Sequence, residues 1–340
     1  MGIGGKLSLG IDVGSVSTNL VVIGEDGSVI TRLYLPTSGR PLIALSSGMA
    51  ELAAQFGDAD IGSCGVTGSG RQLAAAMVGA DIIKNEITTH AAAACHVQPD
   101  VRTILEIGGQ DSKIIHIEDG CVTDFAMNTV CAAGTGSFLD RQAQRLGMPI
   151  SAFGECALRS TSPVRIAGRC AVFAESDMIS KQQAGHSYED IVAGLCEALV
   201  RNYLNNLASH KKPEPPIVFQ GGVAANAGIV AAFEQALGTS VIVPQYHDVM
   251  GAYGAALMAR ETAGETQFMG FGCAAEELFT KGFECTGCAN RCEVVALMRG
   301  GVPAAYWGDR CGKWSTKPPA ADKLLSNQHW QVLNGMKTTD

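Results

Sequence analysis

The chain has 340 residues, of which 46% are hydrophobic and 17% charged, and its formal net charge is −8. That apolar content can bury a large core, the length favours two lobes, and the composition is that of a compact globular protein. A negative balance with no stripe of Lys and Arg excludes a nucleic-acid binder held mainly by phosphate contacts, so anionic ligands must be gripped locally.

No secretory leader pattern stands at the start. The longest apolar runs are broken by glycine or charge well short of a membrane span, which gives the expectation of a cytoplasmic protein without membrane contact. There, twelve cysteines do not form a disulfide framework, and clustered ones are expected to ligate metal. The isolated Cys64, Cys95, Cys121, Cys156, Cys196 and Cys273 are expected to be small buried hydrophobes.

From Lys6 to Ile30, KLSLGIDVGSVSTNLVVIGEDGSVI reads as a strand, a Gly/Ser turn, a second strand and an Asp-Gly turn. RTILEIGGQDSKIIHIEDGCV, from Arg102 to Val122, echoes it. Glu106 stands two before Gly108 as Asp12 stands two before Gly14, and both segments close on Asp-Gly, at Asp26-Gly27 and Asp119-Gly120. Two copies of one hairpin facing across a cleft would each aim an acid at one shared ligand. Unrelated hairpins with common turn chemistry are the alternative.

Helical spacing follows over Gly136 to Leu146, Ala171 to Ala184 and Tyr188 to Ala208, then KKPEPP connects to a strand, a Gly-Gly turn and a helix with Asn226 near its start. A short strand at VIVP and a small-residue helix run to about Gly264. Beyond a boundary near residue 265, Gly, Cys and Pro dominate with weak periodicity, and Ser315 to Lys323 reads as a linker.

The first hairpin turn, Asp-x-Gly-Ser-x-Ser-Thr, puts Asp12, Gly14, Ser15, Ser17 and Thr18 around one bend. Free N–H groups and hydroxyls there can cradle phosphate, and Asp12 can hold Mg2+ through water. Gly108, Gly109 and Gln110 can do the same from the opposite side, with Glu106 and Asp111 as metal-water or general-base candidates. The water-activating base stays open among Asp12, Glu106 and Asp111. Gly221 and Gly222 suit the approach of a nucleoside, and Asn226 offers an amide.

In this order the motifs, with the final helix MGAYGAALMA, resemble the ASKHA superfamily of actin, heat-shock chaperones and sugar kinases. The resemblance covers about residues 6 to 262 and implies an α/β fold of two ribonuclease-H-like lobes closing over Mg-ATP. The lobes are expected at 1–90 and 91–264, with a cysteine-rich extension at 265–340.

Where a sugar kinase would offer hydroxyl-binding acids and amides, this chain offers Cys131 and Cys170, each just ahead of a helix whose N-terminal end favours a thiolate. Two cysteines are too few for a cubane cluster, and a twofold dimer supplies the other two. NTVCAAGTGSFLD, GRCAVFAESDMISKQQAG, LEIGGQDSK and FQGGVAAN together resemble the BadF/BadG/BcrA/BcrD ATPase family, in particular its activators of 2-hydroxyacyl-CoA dehydratases. VTGSGRQ and NEITTHAAAA, the latter with Glu86 and His90, are similar to further family segments.

That resemblance implies a homodimer with one 4Fe-4S cluster held by Cys131 and Cys170 of each copy. It implies ATP-dependent transfer of single electrons, drawn from ferredoxin or flavodoxin, to a partner dehydratase or reductase with its own iron–sulfur cluster. It also brings Lys113, Gly134 and Gly136 into the set that binds ATP and ADP. His90 is either functional or a satisfied histidine between lobes.

Near the end, Cys285, Cys288 and Cys292 form C-x2-C-x3-C, and eighteen residues separate Cys292 from Cys311. A knuckle can set three thiolates around one ion while a hairpin returns the fourth, which fits zinc or an iron–sulfur cluster. Small activators of the family end near the last helix, so this extension is a departure. An auxiliary cluster relaying electrons is the favoured expectation, with structural zinc as the alternative. Two other functions fit parts of the pattern: an ASKHA small-molecule kinase, such as an amino-sugar kinase, with a zinc knuckle, and a nucleotide-gated binding module without redox function.

Overall fold

The computed structural model describes residues 6–57, 61–128, 131–262, 264–275 and 277–315. The first strand, β1 (Leu7–Val13), is buried on both faces. Leu7, Leu9, Ile11 and Val13 point to one side, and Ser8, Gly10 and Asp12 alternate to the other, as strand geometry requires. β2 (Ser17–Ile23) pairs antiparallel with it and β3 (Val29–Pro36) antiparallel with β2, and α1 (Pro41–Phe56) crosses over to β4 (Ile61–Thr67), which is parallel to β1. α2 (Arg71–Val78), β5 (Ile82–Ile83) and α3 (Glu86–Val97) follow, and the five strands lie in the order β3-β2-β1-β4-β5.

The second sheet repeats that order. β6 (Thr103–Ile107), β7 (Ser112–Glu118) and β8 (Cys121–Asn128) pair antiparallel, and β9 (Ile217–Gln220) is parallel to β6, giving β8-β7-β6-β9. A parallel bridge from Val218 to Ile242 takes the place that β5 holds in the first sheet. The short strand expected at VIVP is therefore a single bridge. Between β8 and β9 come α4 (Gly136–Arg145), α5 (Phe153–Leu158), α6 (Ala171–Gln183) and α7 (Tyr188–Leu207), followed after β9 by α8 (Ala227–Leu237). Ser187 and Asn226 cap α7 and α8 through their side-chain oxygens.

α9 (Met250–Arg260) closes the chain path by packing back on β1, β4 and α3 of the first half. The approach is close because the facing positions are glycines. A Cβ on Gly10 would run into Ala252 and Ala256, and one on Gly254 would overlap the Thr89 carbonyl. Leu7, Leu9, Ile11 and Val13 meet α1 and α2 on the opposite face, through Leu45, Met49, Leu52, Ala74 and Met77.

After residue 265 a second fold element stands where weak periodicity gave no strand: β10 (Leu278–Glu284), β11 (Glu293–Arg299) and β12 (Val302–Trp307) form an antiparallel sheet in that order. Period two is masked in β11 because its residues are buried or half-buried along most of its length. The linker expected at 315–323 lies outside the described residues from 316 on. Of the isolated cysteines, Cys64, Cys156, Cys196 and Cys273 are buried as expected, but Cys95 is half-buried and Cys121 exposed. The reason at Cys121 is position: it opens β8, the sheet's edge strand, whose first residues are exposed. No helix among the described residues is long and apolar enough to cross a membrane.

Replacing Gly254 by Ala is expected to cost about 1–3 kcal/mol through overpacking against α3, read as a lower urea midpoint. Gly272→Ala, where a Cβ meets open space, is the control, expected within about 0.5 kcal/mol of the parent. Equal midpoints for the two variants would refute the close helix contact.

Candidate nucleotide site

The two hairpin turns face each other as the sequence echo suggested. In the first, Gly14 N–H donates to the Ser17 carbonyl at 2.9 Å, and in the second Gly108 N–H donates to the Asp111 carbonyl at 3.0 Å. Register pairs Asp12 with Asn19 and Glu106 with Lys113, so the equivalent positions of the two copies stand 94 residues apart (106 − 12).

Between the turns lies a cleft. Asp12, Gly14, Ser15, Ser17, Glu106, Gly108, Gly109, Gln110, Asp111, Lys113, Gly221 and Gly222 all line it. An adjoining cavity shares Gly108, Gly109 and Gly222 and adds Gly136, Leu139, Ile150, Gly154 and Asn226. It is the less polar of the two and suits a nucleoside, while the first, ringed by turn amides and acids, suits phosphates and a cation. Thr18 and Gly134 line neither cavity. Thr18 is buried behind the first turn, its hydroxyl 2.9 Å from that of Thr37, which in turn donates to the Gly14 carbonyl at 2.8 Å. Gly134 is buried close to the Asn202 amide of α7. Asn226 uses Oδ1 to cap α8, which leaves its buried Nδ2 without a partner.

Lys113 is the electrostatic centre. Its side chain is 2% exposed, and its Nζ lies 2.9 Å from Glu106, 2.9 Å from Asp111 and 3.0 Å from Glu86 at the start of α3. Burial alone would depress its pKa, but Glu106, Asp111 and Glu86 outweigh that and hold the ammonium above the usual lysine range. The acids are raised as well, which favours their neutral form. Burial first, then the like charges of Glu86 and Asp111, against the pull of Lys113, raise Asp12 to about 7. Burial likewise raises Glu106 to about 7 despite its contact with Lys113.

His90 is pushed down to about 3 by burial and by Lys113, so the ring is neutral. Gln220 Nε2 donates to its Nδ1 at 2.8 Å, which leaves the proton on Nε2. The histidine is thus a satisfied contact between the halves that also faces the cleft.

Asn19, Ser69, His247, Asp248 and Gly251 also line the cleft and were not singled out from sequence. Asn19 was within reach, since alternation from Ser17 puts it on the same face of β2. Its Oδ1 is buried and without a partner, one strand across from the Asp12 carboxylate. Gly68 and Gly251 press on either oxygen of Asp12, and a Cβ at either would collide with it.

The cysteines lie elsewhere but are tied to this site. Cys131 precedes a single 3-10 turn and Cys170 caps α6, each with extended backbone and no side-chain cap bond. Asn128 clasps Cys131 on both sides: Oδ1 accepts from its N–H at 3.0 Å and Nδ2 donates to its carbonyl at 2.9 Å. At the start of α4, Gly136 N–H and Ser137 N–H donate to the Gly108 and Gly109 carbonyls, both at 2.9 Å. Glu175 of α6 pairs with Arg145 at 2.7 Å and Arg141 at 3.4 Å on α4. A chain of bonds therefore joins the second phosphate turn to both cysteine-bearing segments.

Known proteins resemble this chain in sequence and fold. The chain is 36% identical over 258 residues to the (R)-2-hydroxyglutaryl-CoA dehydratase activating ATPase of Acidaminococcus fermentans, covering 75% of this chain and 98% of that one. The structure of the activator of the 2-hydroxyisocaproyl-CoA dehydratase from Clostridium difficile with bound ADPNP matches with a TM-score of 0.70 at 33% identity, over 75% of this chain and 94% of that one. A ROK family glucokinase from Streptomyces griseus shares the fold, at a TM-score of 0.50 and 14% identity over 75% of this chain and 100% of that one. Residues 9–259 match the model of the BadF/BadG/BcrA/BcrD ATPase family, and the chain belongs to that family.

Proposed function

We propose that this protein is an ATP-hydrolysing activator that delivers single electrons to a partner dehydratase or reductase. It acts as a homodimer whose Cys131 and Cys170, from each copy, hold one 4Fe-4S cluster recharged by ferredoxin or flavodoxin. The relative from Acidaminococcus fermentans is named as a dehydratase activating ATPase, which supports the partner class. The two sheets and their helices, residues 1–90 and 91–264, act as lobes, with α9 returning to the first.

Mg-ATP fits the residues present. The turn amides of Gly14, Gly108 and Gly109 would meet the phosphates, and the cavity beside Gly222 and Asn226 would take the nucleoside. Asp12, with the orphaned Oδ1 of Asn19 beside it, is the oxygen-donor set expected of a magnesium site that keeps several waters. The base that activates water belongs among Asp12, Glu106 and Asp111.

The cluster also fits. Both cysteines are half-buried, and neither thiol is spent on capping its helix. Beside them, Val172 and Phe173 are 68% and 65% exposed, and Phe125 and Met127 on β8 are exposed too. Such apolar side chains suit a self-complementary face. When held, the cluster supplies one low-potential electron.

The observation on which the reading rests is the bonded path from Gly108 and Gly109 through α4 to α6. Any displacement of the second turn on nucleotide binding is passed to the segments that begin at Cys131 and Cys170.

Two measurements test this reading. Anaerobic protein is expected to hold about four irons per dimer with a signal in electron paramagnetic resonance after reduction, and Cys131→Ala should lose both while keeping its fold. A variant that retains cluster and electron transfer refutes the assignment, and an iron-free parent after reconstitution would favour the kinase. Asp12→Asn should lower ATPase on the order of a hundredfold. The same change should stabilise the nucleotide-free and magnesium-free protein. A carboxyl raised to about 7 from an unfolded value of 3.8 is fully tolerated below pH 4, and its burial costs increasingly as pH rises through 7. Asn should therefore add about 1–2 kcal/mol at pH 8, after allowance for water in the cleft, and almost nothing at pH 4, read by urea unfolding.

A further inference from the structure

The family match ends at residue 259, and the β10–β12 sheet with its four cysteines lies beyond it. We propose that Cys285, Cys288, Cys292 and Cys311 bind a single zinc ion as a tetrathiolate that fastens this sheet.

The thiols gather at one end of the sheet. Glu284 and Glu293 form the last ladder pair of β10 and β11, and just past it Cys285 N–H donates to the Cys292 carbonyl at 2.8 Å. The two cysteines thus face each other, with Cβ atoms about 5 Å apart by strand geometry. Two thiolates bound at about 2.3 Å to one tetrahedral ion lie about 3.8 Å from each other, which side chains on such a pair can reach. A cubane sets each thiolate on a different iron and needs a wider frame.

Cys288 sits in the tight turn between those strands, where Arg291 N–H donates to its carbonyl at 3.3 Å. A Cβ on Gly287 would stand 3.4 Å from Cys285 Sγ and 2.8 Å from Lys313 Nζ, so glycine lets the backbone close in on the sulfur. Gly287 N–H and Trp314 Nε1–H, the latter at 3.3 Å, both donate to Cys285 Sγ. Donors of this kind orient a metal-bound thiolate and spread its charge. Trp314 also brings the return segment over the site, stacking edge-on to Phe283 with ring centroids 4.7 Å apart, and Cys311 lies three residues before it.

The sheet needs such a fastening. Its buried core is Phe283, Cys285, Val294, Ala296, Met298 and Tyr306, too little for three strands to hold unaided. Among the described residues no three His, Cys, Asp or Glu side chains are already placed to hold a metal ion. Closing the site asks for new rotamers at Cys288 and Cys311, both of which are exposed and able to turn. With zinc bound, the site carries a net charge of −2, and Lys313 stands beside it.

The test uses the full chain with Cys131→Ser and Cys170→Ser, so that no bridging iron contributes. After gel filtration with a chelator, about one zinc per chain is expected. Cobalt in place of zinc should give the intense thiolate-to-metal absorption of tetrahedral sulfur ligation, a readout that needs no further substitution. Adding Cys285→Ser or Cys311→Ser should lower bound metal on the order of tenfold or more. Iron and sulfide in cluster amounts in this background would overturn the proposal in favour of a relay cluster. So would protein that holds no zinc and gives no cobalt band. Parent protein, with Cys131 and Cys170 intact, that lacks iron after anaerobic reconstitution yet retains zinc would refute the activator reading and leave this one standing.

Discussion

A single buried ammonium governs the site. Lys113 brings together Glu86 from the first half of the chain and Glu106 and Asp111 from the second. Four carboxylates, with Asp12, surround that one positive charge. Removing it would leave buried like charges uncompensated, a loss of about 3–5 kcal/mol for a buried pair. Burial first, and then the neighbouring carboxylates, raise Asp12 and Glu106. Those carboxylates repel any further anion that enters the cleft.

Backbone placement supplies what side chains cannot. The α9 helix approaches β1 and α3 because Gly10 and Gly254 present no Cβ, and that approach sets Gly251 against Asp12. The acid is thereby pinned in one orientation between Gly68 and Gly251. Gly70 N–H donates to the Val13 carbonyl at 2.8 Å, joining α2 to the same turn.

Much of this was legible in the residues. The repeated acid-x-Gly spacing marked both turns, and the fixed offset between copies extends to Asn19 and Lys113, which share one register position. The buried role of Thr18 was not legible, since a hydroxyl in a turn motif gives no sign of whether it faces ligand or the layer behind. Asn226 stands at the start of its helix as expected, but capping takes its oxygen, a competition that appears only once the helix start is fixed. The terminal sheet escaped because β11 is covered for most of its length and so lost its alternation. Cys121 misled because burial depends on which strand forms the edge, a property of topology and not of spacing.

The terminal sheet bears on the same centre by a route that the sequence could not show. Arg299 of β11 donates through Nη2 to the carbonyls of Ala76 and Met77, at 3.2 and 2.9 Å, in the last turn of α2. A cation at a helix C-terminus satisfies orphan carbonyls and opposes the negative end of the dipole. The other end of α2 is bonded to β1 through Gly70, next to Gly68 and Asp12. The second turn is gripped from α4 and the first is steadied from α2. The first turn is therefore the one that the terminal sheet reaches, through α2, and the second is the one tied to the segments of Cys131 and Cys170.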